Sequence, residues 1–258
     1  MTAPSQTRPS VYVYPDLEAM SQAAARALVD RVRSAVESDG RCALALSGGN
    51  TPRALYRLLA EEYVDRVPWN QVDLFWGDER YVPPDDPRSN YRMVKDALLD
   101  RLPIPTTNVY PMPTSHADPE DAARAYEALL SQRFAGRWPR FDLILLGLAA
   151  DGHIASLFPA SPALQARDRR VIAVRASVDP PQRLTITLPV INHAAGVFFL
   201  VAGKGKAGAV HRVLVGPCDP VTCPALSVQP TAGDVFWWID EGAATFLGPS
   251  VRTPSPPA

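Results

Sequence analysis

Asp151, Gly152 and His153 follow an apolar run, residues 141–146, whose unbroken hydrophobicity predicts a buried parallel strand. An imidazole beside a carboxylate, close to backbone N–H groups, can serve as a general base near neutral pH. The same triplet also suits an ordinary β-turn, with Gly152 supplying a positive φ. Two other segments share the setting. Ser47, Gly48, Gly49, Asn50 and Thr51 follow the apolar run 42–46 and precede a helical pattern with Leu55, Leu58 and Leu59 on one face. Pro52 suits the first helical position and Thr51 the N-cap, and the glycines with the free N–H groups of a helix start can cradle a phosphate. No Gly-Lys-Ser/Thr follows, so this is not a Walker loop. Asp78, Glu79 and Arg80 follow a third apolar run, 72–76, and read either as a solvated salt-bridged turn or as part of one rim shared by three strand ends. Open α/β sheets bind ligands at such strand ends.

Two further segments add positive charge. Arg183 stands at the start of an alternating stretch, and Lys206 opens a helix after the apolar run 197–202. A guanidinium fork matches phosphate, and a lysine at a helix start can direct its ammonium at the same anion, although each alone reads first as a surface charge. Lys206 also runs against the preference for acids at helix starts, which favours a ligand role. His116, His193 and His211 lack metal-ligand spacing with His153, so no metal is expected. Trp237 and Trp238, in a strand-like run, are read as core rather than as a sugar platform.

These elements belong to a chain of ordinary globular composition: 258 residues, 47% hydrophobic and 21% charged. Its 26 basic and 27 acidic residues nearly cancel and form no basic stripe, which disfavours nucleic acid or an anionic membrane as partner. An anionic small molecule must therefore be caught by local charges. Cys42, Cys218 and Cys223 are an odd set without Cys-x-x-Cys spacing, and neither a disulfide framework nor a thiolate metal site is expected; Cys42 is assigned to the core. No apolar stretch approaches the roughly 18 residues of a membrane span, and the polar amino terminus lacks the apolar stretch of a signal peptide. A cytoplasmic protein, monomeric or a small homo-oligomer, is expected.

Along the chain, a helix over 16–36 carries Leu17, Met20, Ala24, Leu28, Val32 and Ala35 on one face and ends at Gly40. Strand 42–46, helix 51–62, strand 72–76 and a helix near 91–99 follow. Asp118 caps a helix with Pro119 at its first position, running to about residue 134 and leading to strand 141–146. Later come strands over 171–174, 184–188, 197–201 and 235–239, with a helix over 206–215. The alternation predicts an α/β fold: a mostly parallel sheet with helices on both faces and right-handed crossovers. With no Gly- or Ser-rich linker, residues 10–248 read as a single domain, flanked by flexible tails 1–9 and 249–258.

Taken in order, the segments 47–52, 78–83 with Ser89-Asn90-Tyr91, 146–159, 181–189, 203–207 and 224–247 resemble the 6-phosphogluconolactonases. The resemblance implies hydrolysis of 6-phospho-D-glucono-1,5-lactone to 6-phosphogluconate in the oxidative pentose phosphate pathway, without metal or organic cofactor. It implies a fold similar to glucosamine-6-phosphate deaminase and, more distantly, ribose-5-phosphate isomerase. By the same resemblance His153 is the general base and Asp151 orients the site. Ser47, Gly48, Gly49, Asn50 and Thr51 cradle the phosphate, Asp78 binds sugar hydroxyls, and Arg80, Arg183 and Lys206 supply positive charge. The chain departs from the family in carrying Ala149-Ala150 where Gly-Pro is usual before Asp-Gly-His. Phe158 stands where the deaminases carry a glutamate, which favours the lactonase, and a non-catalytic sugar-phosphate sensor on the same fold is the alternative.

Overall fold

A computed structural model describes residues 9–254 of the protein. Strand β1 (Ser10–Tyr14) leads into helix α1 (Leu17–Asp39), which begins where the Asp16 carboxylate accepts the Ala19 N–H at 2.8 Å and ends at Gly40. Its expected apolar stripe is buried, with Met20, Ala24, Leu28 and Val32 inaccessible to solvent. The chain continues through β2 (Cys42–Leu46), α2 (Asn50–Glu62), β3 (Val72–Trp76), β4 (Asp78–Arg80), α3 (Asn90–Ala97), β5 (Val109–Tyr110) and α4 (Pro119–Arg133). It then forms β6 (Leu143–Leu146), β7 (Val171–Arg175), β8 (Gln182–Ile186), α5 (Leu188–Ile191), β9 (Gly196–Val201), α6 (Ala207–Leu214) and β10 (Asp234–Asp240).

Seven strands form a parallel sheet in the order β1-β10-β9-β6-β2-β3-β5. From β2 the chain moves outward to β3 and β5. Helix α4 then carries it back across the sheet to β6, and from there it moves outward the other way to β9 and β10. Right-handed crossovers in opposite directions place α2 and α3 on one face and α4 and α6 on the other. The order reverses between the neighbours β2 and β6, and a crevice opens at the carboxyl ends of strands at such a reversal. The central strands β6 and β9 are apolar throughout because both faces are covered: β6 reads Leu-Ile-Leu-Leu and every residue of β9 is buried. Phe199 of β9 and its register partner Trp237 of β10 stack with centroids 4.0 Å apart, so Trp237 is core as expected, as are Trp238 and Cys42.

Four expectations are corrected. A second, antiparallel sheet, β4-β8-β7, stands beside the first. Asp78, Glu79 and Arg80 are its edge strand and not a solvated turn. Helix α2 starts one residue before Thr51: Gly49, at φ 105°, is the N-cap and Pro52 is the third helical residue, tolerated there because first-turn N–H groups lack intrahelical partners. Cys218 and Cys223 are disulfide-bonded. Between them, the Asp219 carboxylate accepts the N–H groups of Val221 and Thr222, folding a turn that brings the two Cα atoms to 6.2 Å, so cysteines five residues apart pair without Cys-x-x-Cys spacing. The supposed carboxyl-terminal tail is tied down as far as Thr253, which exchanges hydrogen bonds with Val11: N–H to O at 2.7 Å and Val11 N–H to Oγ1 at 2.9 Å. The remaining tail residues, 1–8 and 255–258, lie outside the described residues.

Candidate active site

The carboxyl ends of β2, β6 and β9 meet the β4·β8 ribbon around a cleft of about 390 Å³. Ser47, Gly48, Gly49, Asn50, Thr51, Asp78, Arg80, His153, Arg183 and Lys206 all line it. Of the residues to which the family resemblance gives a site role, Asp151 alone stands off the wall, behind His153 and half exposed. Asn90 and Ala155 also line the cleft and carried no role in the sequence reading, although Asn90 lies in a motif quoted for the family resemblance.

The loop after β2 is held from below. Tyr56, buried in α2, accepts the Ser47 N–H at 3.0 Å and donates its hydroxyl to the Ser47 carbonyl at 2.9 Å, and its burial raises the phenol pKa so that the donor stays protonated. At Gly48 the loop passes so close to α3 that a Cβ would sit 1.9 Å from Asn90 Oδ1, so only glycine fits. Helix α2 begins with no side-chain cap, leaving its first-turn N–H groups and the positive end of its dipole facing the cleft wall.

The loop after β6 forms a closed turn. Gly152 donates its N–H to the Ala149 carbonyl at 3.0 Å, and Ala149 donates to the His153 carbonyl at 3.1 Å. Arg212 of α6 donates to the Ala150 carbonyl at 2.8 Å, so hydrogen bonds supply the rigidity that Gly-Pro would otherwise lend. Gly152 adopts φ 96°, and a Cβ there would lie 3.4 Å from Cys223 Cα, on the disulfide-bonded loop. His153 Nδ1 is 2.8 Å from Asp151 Oδ1, which also accepts the His153 N–H at 3.1 Å. A carboxylate at Nδ1 keeps the proton there and leaves Nε2 free to accept one. The Phe158 ring packs against the imidazole with centroids 4.4 Å apart.

The β4·β8 ribbon supplies the opposite wall. Arg80 and Arg183 are register partners on the antiparallel pair, and among the described residues neither forms an ion pair. Arg80 donates to the Arg88 carbonyl at 2.6 Å while its buried Nε has no partner, and Arg183 Nε donates to the Pro180 carbonyl at 2.8 Å. Burial first, and then the Arg80 charge, lower the Arg183 pKa. Glu79, between the cleft-lining Asp78 and Arg80 on β4, points away from the cleft. Only 2% exposed, it accepts the N–H groups of Arg80, Asn90 and Tyr91 at 2.8, 2.6 and 2.7 Å and so anchors the start of α3. Burial pushes its carboxyl up to about 7 against the pull of those donors.

Among the described residues no three His, Cys, Asp or Glu side chains gather as a metal site, and no helix is long and apolar enough to cross a membrane. The cleft thus concentrates cations, free N–H groups and one carboxylate-bound imidazole, a set suited to an anionic substrate and proton transfer.

Comparison with known proteins places this site in a family. Residues 15–237 match the family described as glucosamine-6-phosphate isomerases/6-phosphogluconolactonase. A 6-phosphogluconolactonase of Synechocystis sp. is 44% identical over 244 residues, spanning 93% of this chain and 99% of its own. The solved 6-phosphogluconolactonase of Trypanosoma brucei superposes with a TM-score of 0.83 at 29% identity, over 93% of this chain and 99% of that one. A monomeric glucosamine-6-phosphate deaminase, 24% identical, shares the fold at a TM-score of 0.78 over 92% of this chain and 99% of its own. With the match running through both sheets and every loop of the cleft, the chain belongs to the glucosamine-6-phosphate isomerase/6-phosphogluconolactonase family.

Proposed function

We propose that this protein is a 6-phosphogluconolactonase, hydrolysing 6-phospho-D-glucono-1,5-lactone to 6-phospho-D-gluconate. The observation that carries the proposal is the His153–Asp151 pair at 2.8 Å on the wall of a cleft whose other walls are an uncapped helix start and two arginines that form no ion pair among the described residues. Nε2 of His153 takes a proton from water as its oxygen attacks the lactone carbonyl, and Asp151 stabilises the imidazolium that forms. The tetrahedral intermediate collapses by breaking the ring C–O bond, and the imidazolium returns its proton to the departing ring oxygen. The product carboxylic acid then ionises to solvent. Residues 47–51 hold the phosphate, Asp78 accepts hydrogen bonds from sugar hydroxyls, and Arg80, Arg183 and Lys206 supply charge to phosphate and developing oxyanion. Ester hydrolysis transfers no electrons, so a redox cofactor has no step to serve.

The packing of Phe158 on His153 favours the lactonase over the deaminase reaction, because it fills with an apolar ring the position where a ring-opening carboxylate would act. The deciding assay is hydrolysis of freshly generated 6-phosphogluconolactone against its spontaneous background, with unphosphorylated gluconolactone and glucosamine 6-phosphate alongside. Acceleration confined to the phosphorylated lactone is expected. Equal efficiency on both lactones would remove the phosphate cradle, and steady ammonia release would promote the deaminase.

A further inference from the structure

The loop that carries His153 is joined to the strand that carries Asp78 through one buried hydroxyl. Ser156 is wholly inaccessible to solvent, and its Oγ donates to Asp78 Oδ2 at 2.7 Å. Its N–H donates to Thr185 Oγ1 at 3.3 Å, and Thr185 is the register partner of Asp78 across the β4·β8 pair. Asp78, 6% exposed, receives its second donor from Asn90, whose Nδ2 lies 3.2 Å from Oδ1 and 2.9 Å from the Asp78 carbonyl. No cation lies within ion-pairing distance of this carboxylate among the described residues. The two donors, one on each carboxylate oxygen, leave it a single orientation at the cleft.

The backbone beside the hydroxyl carries a cost as well. Ala155, between His153 and Ser156, stands at φ 47°, in the left-handed region that disfavours a residue with a Cβ. Strain of this kind persists only where surrounding contacts over-determine it. The contacts available here are the two hydrogen bonds of Ser156 and the short bridge between Ile154 and Leu157.

We propose that Ser156 is a positioning residue: its hydroxyl fixes the Asp78 carboxylate at the cleft and, through it, holds the His153 turn in register with the β4·β8 wall. The phosphate loop is anchored separately, by Tyr56 and α2, so loss of the Ser156 hydroxyl acts on the reacting end of the substrate and leaves its anionic end held. The kinetic part of this inference rests on the lactonase proposal; the structural part does not.

The test is a double-mutant cycle with Asp78. Ser156→Ala is expected to lower kcat at least about tenfold with KM changed less than about threefold, as for a misplaced catalytic group. Ser156→Thr, which keeps the hydroxyl, retains most of the turnover. In an Asp78→Ala background, Ser156→Ala then costs less than about twofold further, because the partner it positions has gone. Should the alanine variant not fold, Ser156→Cys keeps the volume with only a weak donor and gives the same direction. Losses that multiply in the double variant, or a Ser156→Ala kcat within about twofold of the parent, overturn the inference. The crystal structure of Ser156→Ala, or of Ser156→Cys, decides the point without substrate: a rotated Asp78 carboxylate and a shifted 153–156 turn support it, and an unmoved carboxylate sinks it. A parent protein that hydrolyses no lactone above background defeats the proposed function, while that crystallographic comparison still decides the positioning role.

Discussion

Arg80 and Arg183 stand directly opposite each other across the β4·β8 pair, like charges in register on one wall of the cleft. Such a cross-strand pair is destabilising unless an anion is placed against it. Millimolar inorganic phosphate or 6-phosphogluconate is therefore expected to raise the midpoint of thermal unfolding, by linkage to the folded state. Arg183→Met relieves the repulsion and should leave the free protein about as stable, within about 1 kcal/mol, while the ligand-induced rise shrinks. An undiminished rise in the variant would show that Arg183 does not meet the anion.

His153→Ala should lower turnover by about two orders of magnitude or more, the usual worth of a general base, while 6-phosphogluconate still binds. The expectation follows from the Asp151 contact, which leaves Nε2 as the acceptor in the cleft. Lys206→Ala, by contrast, should mainly raise KM if its ammonium meets phosphate alike in ground and transition states. Near-normal turnover in the His153 variant, measured over the spontaneous background, would shift the base to Asp78 or Asp151.

Glu79 gives the fold a pH dependence of stated sign. Its carboxyl rises from 4.5 to about 7 on folding, so the native state keeps a proton that the unfolded chain releases in that interval. The associated stability is complete below the lower value and is lost as pH rises through the upper one, amounting to at most about 3 kcal/mol. Urea unfolding of the parent and of Glu79→Gln, compared from about pH 5 to pH 8, should show the parent losing stability relative to the variant as pH rises. A constant difference between the two would place the Glu79 pKa outside this window.

The Cys218–Cys223 disulfide closes a short loop against Gly152, between Asp151 and His153. Replacing both cysteines by serine should cost about 2 kcal/mol of unfolding free energy on a chain-entropy basis. Because the loop is packed on the turn that holds His153, turnover should fall several-fold as well, and a dithiol reductant should affect the parent and not the double-serine variant. Identical turnover with and without the disulfide would show that the turn holds its shape unaided.

Much of this architecture is written locally. The stripe of α1, the apolar runs of β2, β3, β6, β9 and β10, and the Asp118 cap of α4 are legible because periodicity and capping act within a few residues. The polar residues at the strand ends were legible too, since Ser47, Asp78, His153 and Lys206 each closely follow such a run. Tertiary structure alone decided which partners those residues meet. Asp-Glu-Arg at 78–80 has no strand pattern of its own; pairing with β8, more than a hundred residues onward, makes it a strand, and the start of α3 makes Glu79 a buried carboxyl. Asn90 and Ser156 lie 12 and 78 residues from Asp78, and Cys218 meets Cys223 only because Asp219 folds the turn between them. Hydrophobic patterning selects a face of a helix or strand and is read over a short window. The partner of a buried polar group is selected by whatever the completed fold brings within hydrogen-bonding distance, and no short window of sequence contains that information.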